Sequence, residues 1–223
     1  MATDEELNQA KTDCQEVWGP LHAWRALGQL KAIEAFKPIL SLLDDEYDDW
    51  IRGDIPTLCT LIGLETVPLL RECLADTSNS MYNRAYIAEV LESMSREYPE
   101  TRESNIAAIA QQLEKFEDND TGFNGLLIAS LVKLQAKETI DVIERAFQAN
   151  QVDTLIVGNW EDVQVDFGLK AADEVSMPRK KILLTSLLST TTRKTKTAKG
   201  FGSTEKNPKK KKSRKSSGKR KKK

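Results

Sequence analysis

The chain has 223 residues and a formal charge of −1, a near-neutral figure that conceals two blocks of opposite sign. Residues 1–178 hold 14 Lys and Arg against 33 Asp and Glu, a balance of −19, whereas residues 179–223 hold 19 against one, a balance of +18. That division predicts a folded acidic body with a basic interaction arm. It goes with no apolar run near the roughly 18 residues of a membrane span, and with three cysteines that form neither CxxC spacing nor an even disulfide set.

In chain order, Leu7, Ala10, Cys14 and Val17 stand at helical spacing, with Asp4, Glu5 and Glu6 at the positive end of the dipole. This predicts an N-terminal capping helix over 1–17. Trp18-Gly19-Pro20 is expected to break it, and Pro20 suits the first turn of a helix running to about Leu30. Lys31-Ala32 predicts a tight turn, followed by a helix to about Leu43 that Pro38 bends. The acidic run Asp44–Asp49 reads as a loop. Asp54 is the expected N-cap of the next helix, with Pro56 just inside it and Gly63 as its stop. Pro68 falls in the first turn of the partner helix, and Ser80 caps the helix after that.

A third pair of helices is expected near Met81–Tyr98 and Thr101–Phe116, with Pro99 at the corner. A fourth hairpin spans about Phe123–Asn150. The β-branched run Gln151–Gly168, with its Gly158-Asn159 turn, reads either as a short β-hairpin or as a cap with Trp160 and Phe167 packed inward. The cap is preferred and assigned to 151–178. Pro178 opens the tail, Arg179–Thr191 reads as one amphipathic turn or two, and from Arg193 onward Lys, Ser, Thr and Gly dominate, a composition that cannot bury a core, so a disordered basic tail is expected over 179–223.

Three of these segments superpose. Leu27, Leu58 and Leu131 align, as do Leu30, Leu61 and Leu134, then Glu34, Glu65 and Glu138, then Phe36, Val67 and Ile140, then Ile39, Leu70 and Ile143. The first two copies are offset by 31 residues, a period that signals stacked repeats. Short turns make each helix pair antiparallel. The predicted class is therefore all-α: an α-solenoid of about four hairpins over 18–150, the third of them degenerate.

The Leu-x-x-Leu, Glu-Thr-Val-Pro and Asp-rich-loop elements together resemble the HEAT-like repeats found in phycobilisome lyases. Trp18, Pro20, His22 and Ala23, with the closing Gly158–Gln164, are similar to an uncharacterised bacterial family over about residues 18–170. The resemblance implies a solenoid scaffold. Several members of such families carry a cysteine-rich C-terminal zinc motif; the matching stretch here, Asn207 to Arg220, has no cysteine, so zinc is not carried over. Bilin lyase activity is not carried over either.

Chemistry-bearing patterns are sparse. His22 stands alone, without the neighbouring nucleophile that a triad needs, and is expected to pack or cap. One His and three scattered Cys give no metal-ligand spacing. Asp44–Asp49 fails the EF-hand pattern, because Asp49 occupies the position that requires Gly. Cys59, Cys73 and Trp24 read as core. Trp50, flanked by Asp48 and Asp49, is the expected protein-binding group. The strongest signal is the tail: Lys209, Lys210, Lys211, Lys212, Arg214, Lys215, Lys219, Arg220, Lys221, Lys222 and Lys223 place 11 positive charges in 15 residues. Such a cluster releases counterions from a polyanion without reading sequence; a strap on the acidic body, a solvated tail and a targeting signal are the competing readings.

The expectation is a non-enzymatic scaffold that binds a protein partner along its inner surface and RNA, DNA or another polyanion through its tail. It would have no cofactor and no membrane association. The opening Met-Ala-Thr-Asp-Glu-Glu lacks a secretory signal, and the reducing cytoplasm is the expected compartment. The alternative is an accessory lyase or chaperone for a pigment-binding, phycobiliprotein-type partner.

Overall fold

Leucine periodicity and short polar breaks become helices throughout the residues that the computed structural model describes, namely 1–8, 10, 14–44 and 49–175. These all fall within the unit Met1–Leu184. The chain forms α1 (Glu5–Asn8), α2 (Trp18–Gln29), α3 (Phe36–Leu40), α4 (Asp49–Ile62), α5 (Thr66–Ala75), α6 (Met81–Glu97), α7 (Arg102–Leu113), α8 (Thr121–Lys133), α9 (Ile140–Gln148), α10 (Thr154–Val157) and α11 (Trp160–Asp166). Among the described residues there is no strand, so the architecture is all-α. The expected tail, 179–223, lies outside them.

The helices pack in two rows. Successive members α2, α4, α6, α8 and α10 touch one another, as do α5, α7 and α9, while α6 bridges the rows through α5 and α7. Pairing within a hairpin is antiparallel: Arg84 near the start of α6 reaches Gln112 near the end of α7, and Asn105 reaches back to Ser95. Most of the aligned apolar residues lie in the core, whereas Leu30 is exposed. Leu58, Leu131, Ile39, Leu70, Ile143, Phe36 and Val67 are all buried, and each such side chain contributes about 1.5–3 kcal/mol of transfer free energy.

The four hairpin turns are closed in the same way. The carbonyls of Ala32, Gly63, Tyr98 and Ala136 accept the N–H three residues on, at 3.0, 3.2, 2.9 and 3.0 Å. In the last three turns a buried threonine adds a second bond: Thr66, Thr101 and Thr139 each donate Oγ1–H to that same carbonyl at 2.8 Å. Each threonine follows a glutamate (Glu65, Glu100, Glu138). The third hairpin, whose leucines align poorly, is therefore in register at its turn. Gly63 closes α4 with φ +108, the left-handed conformation that glycine adopts without steric cost.

Several expectations are corrected. Among the described residues of the expected capping helix over 1–17, Glu5–Asn8 are helical and Cys14–Val17 form bends and turns. Trp18-Gly19-Pro20 opens α2 rather than breaking a helix, because a proline in the first turn needs no N–H partner. The helix expected to reach Leu43 is a 3-10 turn, then α3, then a second 3-10 turn. Pro38 lies in the first turn of α3 and interrupts no bond.

Asp54 does not cap α4, which begins at Asp49. It is buried, and the Arg25 guanidinium of α2 donates to it from Nε and Nη2 at 3.2 and 3.0 Å. With that partner the carboxylate is satisfied inside the stack, and the helix continues past it toward its N-terminus. Pro56 thereby becomes an interior proline that cannot bond the Arg52 carbonyl one turn back. The Tyr86 hydroxyl of α6 donates to that carbonyl instead, and the Arg52 guanidinium lies 5.3 Å from the Tyr86 ring centroid.

The segment expected as a β-hairpin or a cap, Gln151–Gly168, forms no strand; it holds α10 and α11. Asp153 caps α10 through the Leu155 N–H at 2.9 Å, and Asn159 and Asp162 form a reciprocal capping box on α11. Phe167 is buried, and Trp160 packs on Phe147 with ring centroids 5.7 Å apart. Gly125 lets α10 lie close on α8: a Cβ there would stand 3.2 Å from Ile156 Cβ and 3.3 Å from the Asp153 carbonyl.

Candidate binding surface

The helical stack has two unlike edges. One carries the hairpin turns; the other carries the links between hairpins and the starts of α2, α4, α6, α8 and α10. On the second edge Trp18 is the first residue of α2, Trp50 the second of α4 and Tyr82 the second of α6. They are 44%, 45% and 65% exposed. Trp18 and Trp50 meet edge to face, with centroids 5.4 Å apart and planes at 79°, the arrangement favoured by the ring quadrupoles. Beneath them Trp24 is buried, and its indole N–H donates to the Ala2 carbonyl at 2.7 Å. Trp24 is core, while the Trp18–Trp50 pair forms surface.

The links are held by buried polar side chains. Ser80 and Asp120 cap α6 and α8 by accepting from the Asn83 N–H at 3.2 Å and the Gly122 N–H at 2.7 Å. Four residues beyond each cap a polar group turns inward. Arg84 donates to the Leu74 carbonyl at 2.9 Å and to Gln112 Oε1 at 3.1 Å, its guanidinium 4.5 Å from the Phe123 ring centroid. Asn124 donates to the carbonyls of Phe116 and Gln151 at 2.9 and 2.8 Å and accepts from Asn119 at 2.9 Å. These contacts fix the linking loops and, with them, the exposed aromatics.

Burial pushes the Cys59 thiol up to about 12, against a weaker opposing hydrogen bond from Thr66, which disables it as a thiolate. His22 is exposed on α2 rather than packed. A cleft of ≈ 140 Å³ between α3 and α5 is lined by Lys37, Ser41, Cys73 and Asp76, with Lys37 and Glu72 paired at 3.1 Å on its rim. Hydrogen bonds from the Ser78 side chain and backbone hold the Asp76 carboxyl below its ordinary range. No group of three or more His, Cys, Asp or Glu among the described residues is placed to hold a metal ion. No helix among them is long and apolar enough to cross a membrane.

Glu92, on α6, is the most deeply buried carboxylate with an upward shift. Desolvation raises it, while Lys133 and Arg96 pull it down. Arg96 touches Glu92 Oε1, and Lys133 lies 3.7 Å from Glu92 Oε2 and 3.5 Å from Glu89 Oε1. This cluster ties α6 to α8 near the turn edge.

Of the residues singled out in the sequence, Trp50 is on the surface and Asp49 opens α4. Asp48 lies outside the described residues, as does the whole cationic cluster Lys209–Lys223. Trp18, the direct partner of Trp50, was legible only as a family motif residue, although the 32-residue spacing of Trp18, Trp50 and Tyr82 could have revealed the row. No curated protein and no solved structure matches the chain. Residues 4–189 do match a family described as "Protein of unknown function (DUF1186)", and a match over most of the sequence places this chain in that family.

Proposed function

We propose that this protein is a non-enzymatic binding scaffold, an α-solenoid of HEAT-like hairpins that engages another protein, with a basic tail that adds non-specific affinity for RNA, DNA or another polyanion. The observation that carries the reading is the division of charge, −19 over residues 1–178 and +18 over residues 179–223. The solenoid assignment is supported by the two rows of successive helix contacts and by the four matching turns. The exposed aromatic row supports protein binding, since aromatic residues are enriched where proteins meet. Three free cysteines suit a reducing compartment such as the cytoplasm.

Deleting Lys209–Lys223 tests the tail. Full-length protein should bind single-stranded nucleic acid with an affinity that falls steeply with salt, as counterion release requires. The truncated protein should lose that binding and unfold at nearly the same temperature. Equal binding by the two forms would remove the tail from the proposal.

A further inference from the structure

The aromatic edge carries enough chemistry to name the kind of segment it fits. Trp18, Trp50 and Tyr82 recur every 32 residues at the starts of α2, α4 and α6 and stay exposed there. The described link residues between the helices, 14–17, 76–80, 114–120 and 149–153, hold Glu16, Asp76, Glu114, Glu117, Asp118, Asp120 and Asp153 against a single cation, Lys115. The turn edge differs. Its windows 30–35, 63–66, 98–102 and 133–139 hold four cations (Lys31, Arg102, Lys133 and Lys137) and four glutamates.

Among the described residues the aromatic edge is therefore net negative, seven carboxylates to one cation, whereas the turn edge balances four against four. Of the nearest arginines, Arg25 is paired with Asp54, while Arg52 keeps its charge but is turned to Asn83, to which it donates at 2.5 Å. Aromatic faces are themselves negative and attract guanidinium and ammonium groups. An edge combining π faces with a net-negative field is complementary to one class of polypeptide and repels the opposite one.

Resting on the reading of this chain as a protein-binding scaffold, we propose that the edge formed by Trp18, Trp50 and Tyr82 docks an arginine- or lysine-rich segment of a partner protein. Cationic side chains lie over the rings and the link carboxylates neutralise the remaining charge. Acidic partners are excluded by the same field.

The test uses the full-length protein and two fluorescent probes at fixed salt, nona-arginine and an uncharged Leu/Ser peptide of equal length. Two double variants are compared with the parent: Trp50→Ala with Tyr82→Ala, and Trp50→Leu with Tyr82→Leu, the second keeping apolar area without π faces. The expected result is nona-arginine binding that weakens at least tenfold in both variants, with no binding of the neutral probe. Nona-arginine binding unchanged in the leucine variant overturns the cationic assignment. If the neutral probe binds and is lost with the alanine variant while nona-arginine is indifferent, the scaffold reading stands and only the partner chemistry falls. If neither probe depends on either residue, this edge is no docking site and both fall here. Should a double variant fail to fold, Tyr82→Ala alone decides: a loss of about threefold supports the proposal, and no loss overturns it.

Discussion

At the turn edge of the stack, three of the four hairpins close with the same Glu-Thr pair; at the linking edge, equivalent positions are filled by an arginine in one repeat and an asparagine in the next. Both edges solve the same problem, which is to supply donors for carbonyls at the ends of helices. The turn solution is local, three residues from donor to acceptor, so it is repeated almost unchanged. The linking solution spans a loop and a neighbouring hairpin, so each repeat meets a different geometry. Arg84 reaches a distant glutamine over an aromatic ring, whereas Asn124 bridges two loop carbonyls. Local constraints leave a signature in the sequence, and non-local ones leave a polar residue whose purpose is visible only once the neighbours are in place.

The comparison can be broken most sharply at Asn124. Asn124→Leu should cost about 3 kcal/mol, because it leaves the buried carbonyls of Phe116 and Gln151 without donors; urea unfolding measures it. The turn edge should respond less. Thr139→Val keeps the shape and removes one of the two donors on the Ala136 carbonyl, so a loss of about 1 kcal/mol is expected. If the two variants cost the same, the linking edge does not depend on its non-local bonds more than the turn edge does on its local ones.

The smallest effect concerns Glu92. Its carboxyl is raised above its ordinary range by burial, so the native state favours the protonated form more than the unfolded chain does. The corresponding stability is fully present below pH 4.5 and is lost as pH rises through the folded-state value. Glu92→Gln, which mimics the neutral form, should therefore be the more stable protein at pH 7.5. That advantage should vanish on acidification toward pH 4. Melts across the range measure it, and an advantage that grows as pH falls would contradict the assigned sign.

The same division explains what was legible beforehand. The all-α class and the Ser80 cap follow from spacing and local chemistry, and the structure bears them out. Asp54 misled because an Asp two residues before a proline is a good local N-cap signal, and its actual partner, Arg25, lies 29 residues away. The segment Asp4–Val17 misled because four apolar residues at helical spacing do not establish a helix where little packs against them; α1 has no buried residue. Trp50 stood out through its acidic flank. Trp18, Trp50 and Tyr82 lie in one row at the helix starts, which alignment on leucines near the helix ends does not bring into view.

Pro56 and Tyr86 have a consequence for how the chain acquires its structure. The middle of α4 lacks one of its own hydrogen bonds, and the group that replaces it arrives with α6, after an entire intervening helix has been traversed. The second hairpin is thus incomplete by itself: α4 reaches full bonding only when the third hairpin docks. Assembly in this part of the molecule should run as a coupled event across two hairpins, and a chain cut between α5 and α6 should leave α4 frayed at its centre while its two ends remain intact.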